Sequence, residues 1–167
     1  MKQKGITILT ISLALLGMVG VMLLVFVNQA HDEFKESIEV SENGVTEEVL
    51  AVRDLMLNPA DQKQYEIRLT CPASGQFDIT LDHEEIKDGG MKPFVNVRIS
   101  CNERELYCGT LVDLLDHGAT VSVKEELHAT DPLILYVAYE MPYETGNEAQ
   151  DTFADFNIHL KIEKAES

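Results

Sequence analysis

Positive charge is scarce in this sequence: 13 Lys and Arg stand against 29 Asp and Glu, a formal net charge of −16. Phosphate binding needs clustered Lys and Arg, so this balance excludes nucleic acid as a partner. Lys2 and Lys4 are the only charged side chains ahead of Asp32, which leaves −18 on the rest of the chain. Such a surface keeps a protein soluble and favours basic or divalent-cation partners. Catalytic motifs are missing as well. There is no nucleophile elbow, and among so many acids carboxylate pairs arise by chance, so neither serine-hydrolase nor glycosidase chemistry is indicated. His83, Glu84 and Glu85 come nearest to a zinc-protease helix, but Lys87 stands where the second histidine is required, and two ligands on one helical face cannot form. His31, His117, His128 and His159 fall among turns and outward strand positions and read as solvated. No repeat or low-complexity tract occurs. The expectation is a protein that is not an enzyme and carries no cofactor.

Long uncharged runs are limited to one. Ile6 to Val27 is 22 residues without a charge, which as a helix rising about 1.5 Å per residue spans roughly 33 Å, enough for a bilayer core. Lys2 and Lys4 before it, and Asp32, Glu33 and Glu36 after it, place the N-terminus in the cytoplasm and the remainder outside. The run exceeds the usual core of a cleavable signal, and Asn28, Gln29, Ala30 make a poor cleavage site, so an uncleaved anchor is favoured over a removed signal. The membrane is thus an expected partner through Ile6 to Val27. Lys4, Gly5, Ile6, Thr7, Ile8, Leu9 also loosely resembles the start of a type IV pilin, although Thr10 stands where pilins carry a glutamate.

Beyond Glu36 the apolar pattern has a period of two, the mark of half-buried strands. Tyr65, Ile67, Leu69 and Cys71 alternate with polar residues, as do Phe77, Ile79 and Leu81, then Val95, Val97, Ile99 and Cys101, then Phe156, Ile158, Leu160 and Ile162. Leu133 to Val137 is apolar on both faces, as for a central strand covered on each side. Turn residues fall between these runs, at Asn43-Gly44, Pro72 to Gly75, Asp88 to Gly90, His117-Gly118 and Pro142 to Asn147. The segment from Val45 to Leu57 fits helix and strand equally, and Leu111 to Leu115 reads as one helical turn. The predicted fold is an all-β antiparallel sandwich behind one N-terminal hydrophobic helix.

Two constellations carry candidate chemistry. Asp82, Glu84, Glu85 and Asp88, followed by Gly89 and Gly90, are the candidate metal ligands, because hard oxygens beside a glycine turn suit calcium. Their order does not match a calcium-hand loop, and the alternative is a charged, solvated turn that discourages edge-to-edge aggregation. Cys101 and Cys108 flank a short polar connection and are the expected disulfide, with Cys71 to Cys101 as the alternative; either leaves one thiol over. Three buried free thiols are the third possibility. Gaps of 29 and 6 residues between the cysteines match no common zinc pattern.

Three segments together resemble the biofilm-matrix fibre proteins of Gram-positive bacteria typified by TasA and camelysin. Leu57, Asn58, Pro59, Ala60, Asp61 resembles that family's Leu-x-Pro-Gly-Asp turn, with Ala60 in place of the glycine. Leu106 to Leu114 is similar to its hairpin return and short turn. Tyr139, Glu140, Met141, Pro142, then Glu144 to Gln150, then Phe156 and Ile158 resembles a stretch between the last two strands of its smaller members. The resemblance covers about residues 45 to 163. It implies a jelly-roll sandwich, a place at the cell surface or in the matrix, and assembly in which an N-terminal strand completes a neighbour's sheet.

The resulting expectation is a leader or anchor at 1–30, a linker or exchangeable strand at 31–44, and a sandwich ectodomain at 45–164. Its role is that of an exported surface or matrix structural protein associating with itself or with other surface proteins, with the inter-subunit strand drawn from Glu36 to Leu57. The alternatives are a membrane-tethered ligand- or calcium-binding module, a minor pilin-like protein and a camelysin-like metallopeptidase.

Overall fold

Wherever alternation of apolar and polar side chains is sustained, the chain runs as strand. The computed structural model describes residues 33–41 and 45–165; the segment Ile6 to Val27 and the choice between anchor and signal lie outside them. No helix among the described residues is long and apolar enough to cross a membrane. The elements are β1 (Glu33–Glu39), β2 (Val45–Leu55), β3 (Gln62–Thr70), β4 (Gly75–Asp88), β5 (Asn96–Cys101), β6 (Arg104–Thr110), α1 (Leu111–Leu115), β7 (Val121–Leu127), β8 (Leu133–Glu140) and β9 (Ala154–Lys164). They form two sheets, ordered β1-β3-β8-β5-β6 and β2-β9-β4-β7. Every pairing is antiparallel except that of β1 with β3.

The sheets face each other as a sandwich across one core. Ile67, Leu69, Val97, Ile99, Leu135, Val137 and Tyr139 of the first sheet meet Phe77, Ile79, Leu81, Phe156, Ile158, Leu160 and Ile162 of the second, and all are buried. Burying each such side chain contributes roughly 1.5–3 kcal/mol. Tyr139 and Phe156 mark the contact between layers, with ring centroids 5.2 Å apart. β8 lies centrally in its sheet, but the outward Ile134, Tyr136 and Ala138 are only half-buried. Neighbouring strands shelter them, and among the described residues no second layer covers them as the apolar run had suggested.

Val45 to Leu55 resolves as strand, and a bulge explains its ambiguity. The register with β9 shifts between Val52 and Leu55, Asp54 takes a φ of 48°, and its N–H donates to Asp155 Oδ1 at 2.7 Å. One extra residue turns a spacing of two into three, so Leu50, Val52 and Leu55 are all buried while Val45 and Val49 are more than half exposed. Leu111–Leu115 is the expected helical turn, opened by a capping box in which Thr110 and Asp113 satisfy each other's backbone N–H.

Two loops close one end of the sandwich. Asp61 Oδ2 accepts from the Asn58 N–H at 2.9 Å. The Ala60 N–H donates to the Met141 carbonyl at 2.9 Å, and the Met141 N–H donates to the Asp61 carbonyl at 3.0 Å. This geometry holds Ala60 at a φ of 72°, which costs an alanine about 1–2 kcal/mol relative to glycine. Ala60→Gly is expected to raise stability by roughly 0.5–1 kcal/mol, the strain relieved minus the added freedom of the unfolded chain. Urea unfolding midpoints of the two proteins check it.

Candidate functional site

One outer boundary of the first sheet is built from β1, held parallel along β3 from Glu33 opposite Gln64 to Glu39 opposite Thr70. Alternation in β1 sends Ile38 inward, with Val40 just beyond the strand, at 5% and 1% exposure, while Lys35, Ser37 and Glu39 face solvent. The Val40 N–H donates to the Thr70 carbonyl at 2.7 Å, and Thr70 Oγ1 donates to the Ile38 carbonyl at 3.5 Å. On the outer face Glu66 takes Arg68 Nε at 2.6 Å and Lys35 Nζ at 3.5 Å. The Arg68 hydrogen bond, with the charges of Arg68 and Lys35 added, holds the Glu66 carboxyl below its usual range against the effect of burial. β1 is an edge strand, and its free side carries the charged residues that limit unplanned pairing.

The four candidate metal ligands do not converge. β4 continues as strand to Asp88, paired with β9 throughout, so the expected acidic turn begins only at Gly89. Glu84 accepts from Asn157 Nδ2 at 3.2 Å and lies 2.9 Å from His159 Nε2; these two contacts hold its carboxyl low. Glu85 and Asp88 instead lie 2.7 and 3.4 Å from Lys92 Nζ, which Asp116 also approaches at 2.7 Å. Hydrogen bonds to Asp116 and Glu85 raise the Lys92 pKa above its ordinary value. Asp82 is exposed on the outer face of β4, opposite His159. Lys92 thus takes Glu85 and Asp88 together, His159 and Asn157 take Glu84, and no group of three or more His, Cys, Asp or Glu that could hold a metal ion occurs among the described residues.

The expected staple between Cys101 and Cys108 does not form, and all three thiols are free. Cys101 pairs with Arg104 and Cys108 with Arg98, on either side of a register shift between Ile99 and Ser100. The extra residue on β6 turns Cys108 outward while Cys101 stays buried. Three pair positions at about 3.3 Å each separate them along the hairpin. Cys71 and Cys101 are both buried, but they end β3 and β5, which flank β8. Two strand spacings, roughly 9–10 Å, exceed the Cα separation of about 7 Å that a disulfide can bridge. Burial, then the charge of Glu125, pushes the Cys101 thiol up to about 11.

Sequence reading missed a polar pair inside the core. His83 continues the inward series Phe77, Ile79, Leu81 and is 9% exposed; its Nε2 lies 3.0 Å from the Tyr139 hydroxyl. The imidazole sits beside Phe156 with centroids 5.8 Å apart, and Tyr65 meets Tyr139 edge-on at 5.7 Å. His83 Nδ1 is buried without a hydrogen-bond partner. Desolvation lowers the imidazole pKa to about 4 against the pull of Asp82, and burial raises the Tyr139 phenol well above its ordinary value. The pair is thus a neutral hydrogen bond closed to solvent, which can specify packing but cannot reach a substrate.

Two surface depressions lie apart from these groups. One of about 300 Å³ lies on the outer face of the first sheet, around Gln62, Asn96, Arg98, Ala138 and Glu140. The other, of about 510 Å³, lies between the two end loops at Met56, Asn58, Asn147 and Gln150.

No family model and no curated protein matches the chain. Among solved structures it is similar to the pre-peptidase C-terminal domain of a Bacillus anthracis collagenase, at 12% identity over 78% of this chain and 96% of that one, with a TM-score of 0.32. It is similar to the CUB1-EGF-CUB2 domains of rat MASP-1 at 12% identity, 78% and 44% coverage and a TM-score of 0.40. A third is PliG of Aeromonas hydrophila, a periplasmic inhibitor of g-type lysozyme, at 8% identity, 78% and 99% coverage and a TM-score of 0.35. Similarity at this level assigns neither a family nor an activity.

Proposed function

We propose that this chain is an exported surface or matrix structural protein, delivered through Ile6 to Val27, whose acidic sandwich assembles by exchanging β1 between copies. One observation carries the reading: β1 adds to the edge of β3 as a terminal, parallel strand, and only residues 40–44 separate it from β2. A strand paired on one side only makes the same contacts with its own β3 or with another copy's, so exchange requires no new interface chemistry. β1 also falls within the segment 31–44 that the sequence marks as linker or exchangeable strand.

A jelly-roll arrangement of the sandwich belongs to the same proposal. Apart from the β5–β6 hairpin, every successive pair of strands lies in opposite sheets, the wiring expected of that fold. Export accounts for the lysines that precede the uncharged run.

Cross-linking tests the exchange directly, because Ser37 and Arg68 are register partners on the outer face. In a Cys108→Ser background, chains carrying Ser37→Cys are mixed with chains carrying Arg68→Cys under oxidising conditions at the cell surface. Exchange gives disulfide-linked dimers from the mixture and ladders from the double variant Ser37→Cys/Arg68→Cys. If the double variant instead closes only on itself and the mixture stays monomeric, β1 is a private strand and the assembly reading is lost.

A further inference from the structure

The outer face of the first sheet holds a depression whose lining is more specific than a solvated surface. In one cross-strand row Gln62 of β3, Glu140 of β8, Asn96 of β5 and Thr110 of β6 are successive register partners. At about 4.8 Å between strands the row spans roughly 14 Å. The next row places Ala138 of β8 beside Arg98 of β5, followed by Cys108 of β6. Ala138 raises only a methyl group between longer neighbours, and that step makes the hollow of about 300 Å³, the lower end of the range for small-ligand sites.

The chemistry of the walls limits the occupant. Among the described residues the side chains of Gln62, Asn96 and Glu140 have no protein hydrogen bond or ion pair. Arg98 is only partly engaged, through Nε at 3.3 Å from Glu105. The trough thus offers two amides that both donate and accept, one carboxylate that accepts and one guanidinium that donates. A phosphate or other anion would meet Glu140 and Glu105 on a chain of net charge −16. A lipid chain would strand the polar walls, each unsatisfied group costing free energy. Alternating donors and acceptors along a row are matched by hydroxyl groups, each of which is both, carried on a short rigid backbone. We propose that this trough binds an uncharged, hydroxyl-rich oligosaccharide lying across β3, β8, β5 and β6 over Ala138. The inference stands apart from strand exchange, since the pairing of β1 begins opposite Gln64 and does not include Gln62.

The test uses the full chain in phosphatidylcholine nanodiscs, with binding read from the sugar by saturation-transfer difference NMR. The probes are chitotriose, cellotriose, maltotriose and mannotriose, so that an N-acetylated glycan source is separated from plain hexose polymers. Saturation of at least one trisaccharide at millimolar concentration is expected. It falls about tenfold in Ala138→Tyr, which fills the hollow, and in Gln62→Ala/Asn96→Ala, which removes the amides at little risk to folding, a loss equivalent to roughly one or two hydrogen bonds. Glu126→Gln, an exposed position on β7 in the other sheet, leaves the signal unchanged. Silence with all four sugars overturns the proposal, and so does a signal that survives in either trough variant.

Discussion

Between pH 7 and pH 5 the sandwich is expected to lose about 2 kcal/mol of stability through one residue, His83. Its imidazole is held neutral in the core with a pKa of about 4, against 6.5 for an ordinary histidine. Below pH 6.5 the unfolded chain takes up a proton that the folded chain refuses, so the loss begins there and continues until the folded group itself titrates near pH 4. The full difference between the folded and unfolded imidazole corresponds to roughly 3 kcal/mol, a large share of the 5–15 kcal/mol typical of a domain. Glu66, Glu84 and Asp113 have depressed pKa values. Their contribution is present above the unfolded carboxylate range and fades only as pH falls through it, which is why the upper window isolates His83. His83→Gln retains an amide that can meet the Tyr139 hydroxyl and removes the titration. Urea unfolding at pH 7 and pH 5 is expected to show the variant nearly flat where the parent falls. An equal fall in both proteins would assign the acid sensitivity to surface carboxylates instead.

His83 also shows where sequence reading stopped short. The inward phase set by Phe77, Ile79 and Leu81 extends without interruption to position 83, so the alternation already placed that histidine in the core. Attention to a protease-like spacing and to the acids around it obscured the signal. The strands built on strict alternation, β3, the first half of β4, β5 and β9, were legible because period two fixes which face is buried; β8 was legible as a strand but not in its half-buried outer face, and the far end of β4, where the register shifts, read as an acidic turn. β2 and the end of β6 were not, for one shared reason: each contains a bulge. At Asp54 the extra residue mimics helical spacing, and near Leu106 it inverts the face of Cys108, so a cysteine beside the hairpin turn is carried away from its expected partner. The oligosaccharide trough was beyond reach for a different reason. Gln62, Asn96, Thr110 and Glu140 come from four strands, and no local pattern announces that their registers coincide. β1 was marked only as a segment, because seven residues with Phe34 and Ile38 as their apolar members, and the pair Ile38 and Val40 straddling the strand's end, give too little periodicity to distinguish a strand from a linker.

That apolar pair makes β1 energetically consequential in whichever copy it sits. Ile38 and Val40 are 5% and 1% exposed, and truncating buried aliphatic side chains costs about 2–5 kcal/mol for isoleucine and somewhat less for valine. Ile38→Ala/Val40→Ala is therefore expected to lower stability by roughly 4 kcal/mol, bringing the sandwich close to its folding threshold, with residues of β3 such as Ile67 and Leu69 newly open at the edge. Unfolding measured over a wide range of protein concentration separates the two arrangements of the strand. When β1 completes its own sheet, the parent's midpoint is independent of concentration. When it completes a neighbour's, association and folding are linked, and the midpoint rises with concentration as mass action requires. In the exchanged case the double variant loses that dependence along with its stability, because the strand then holds too little apolar surface to stay in a partner's groove. In the private case it loses stability alone.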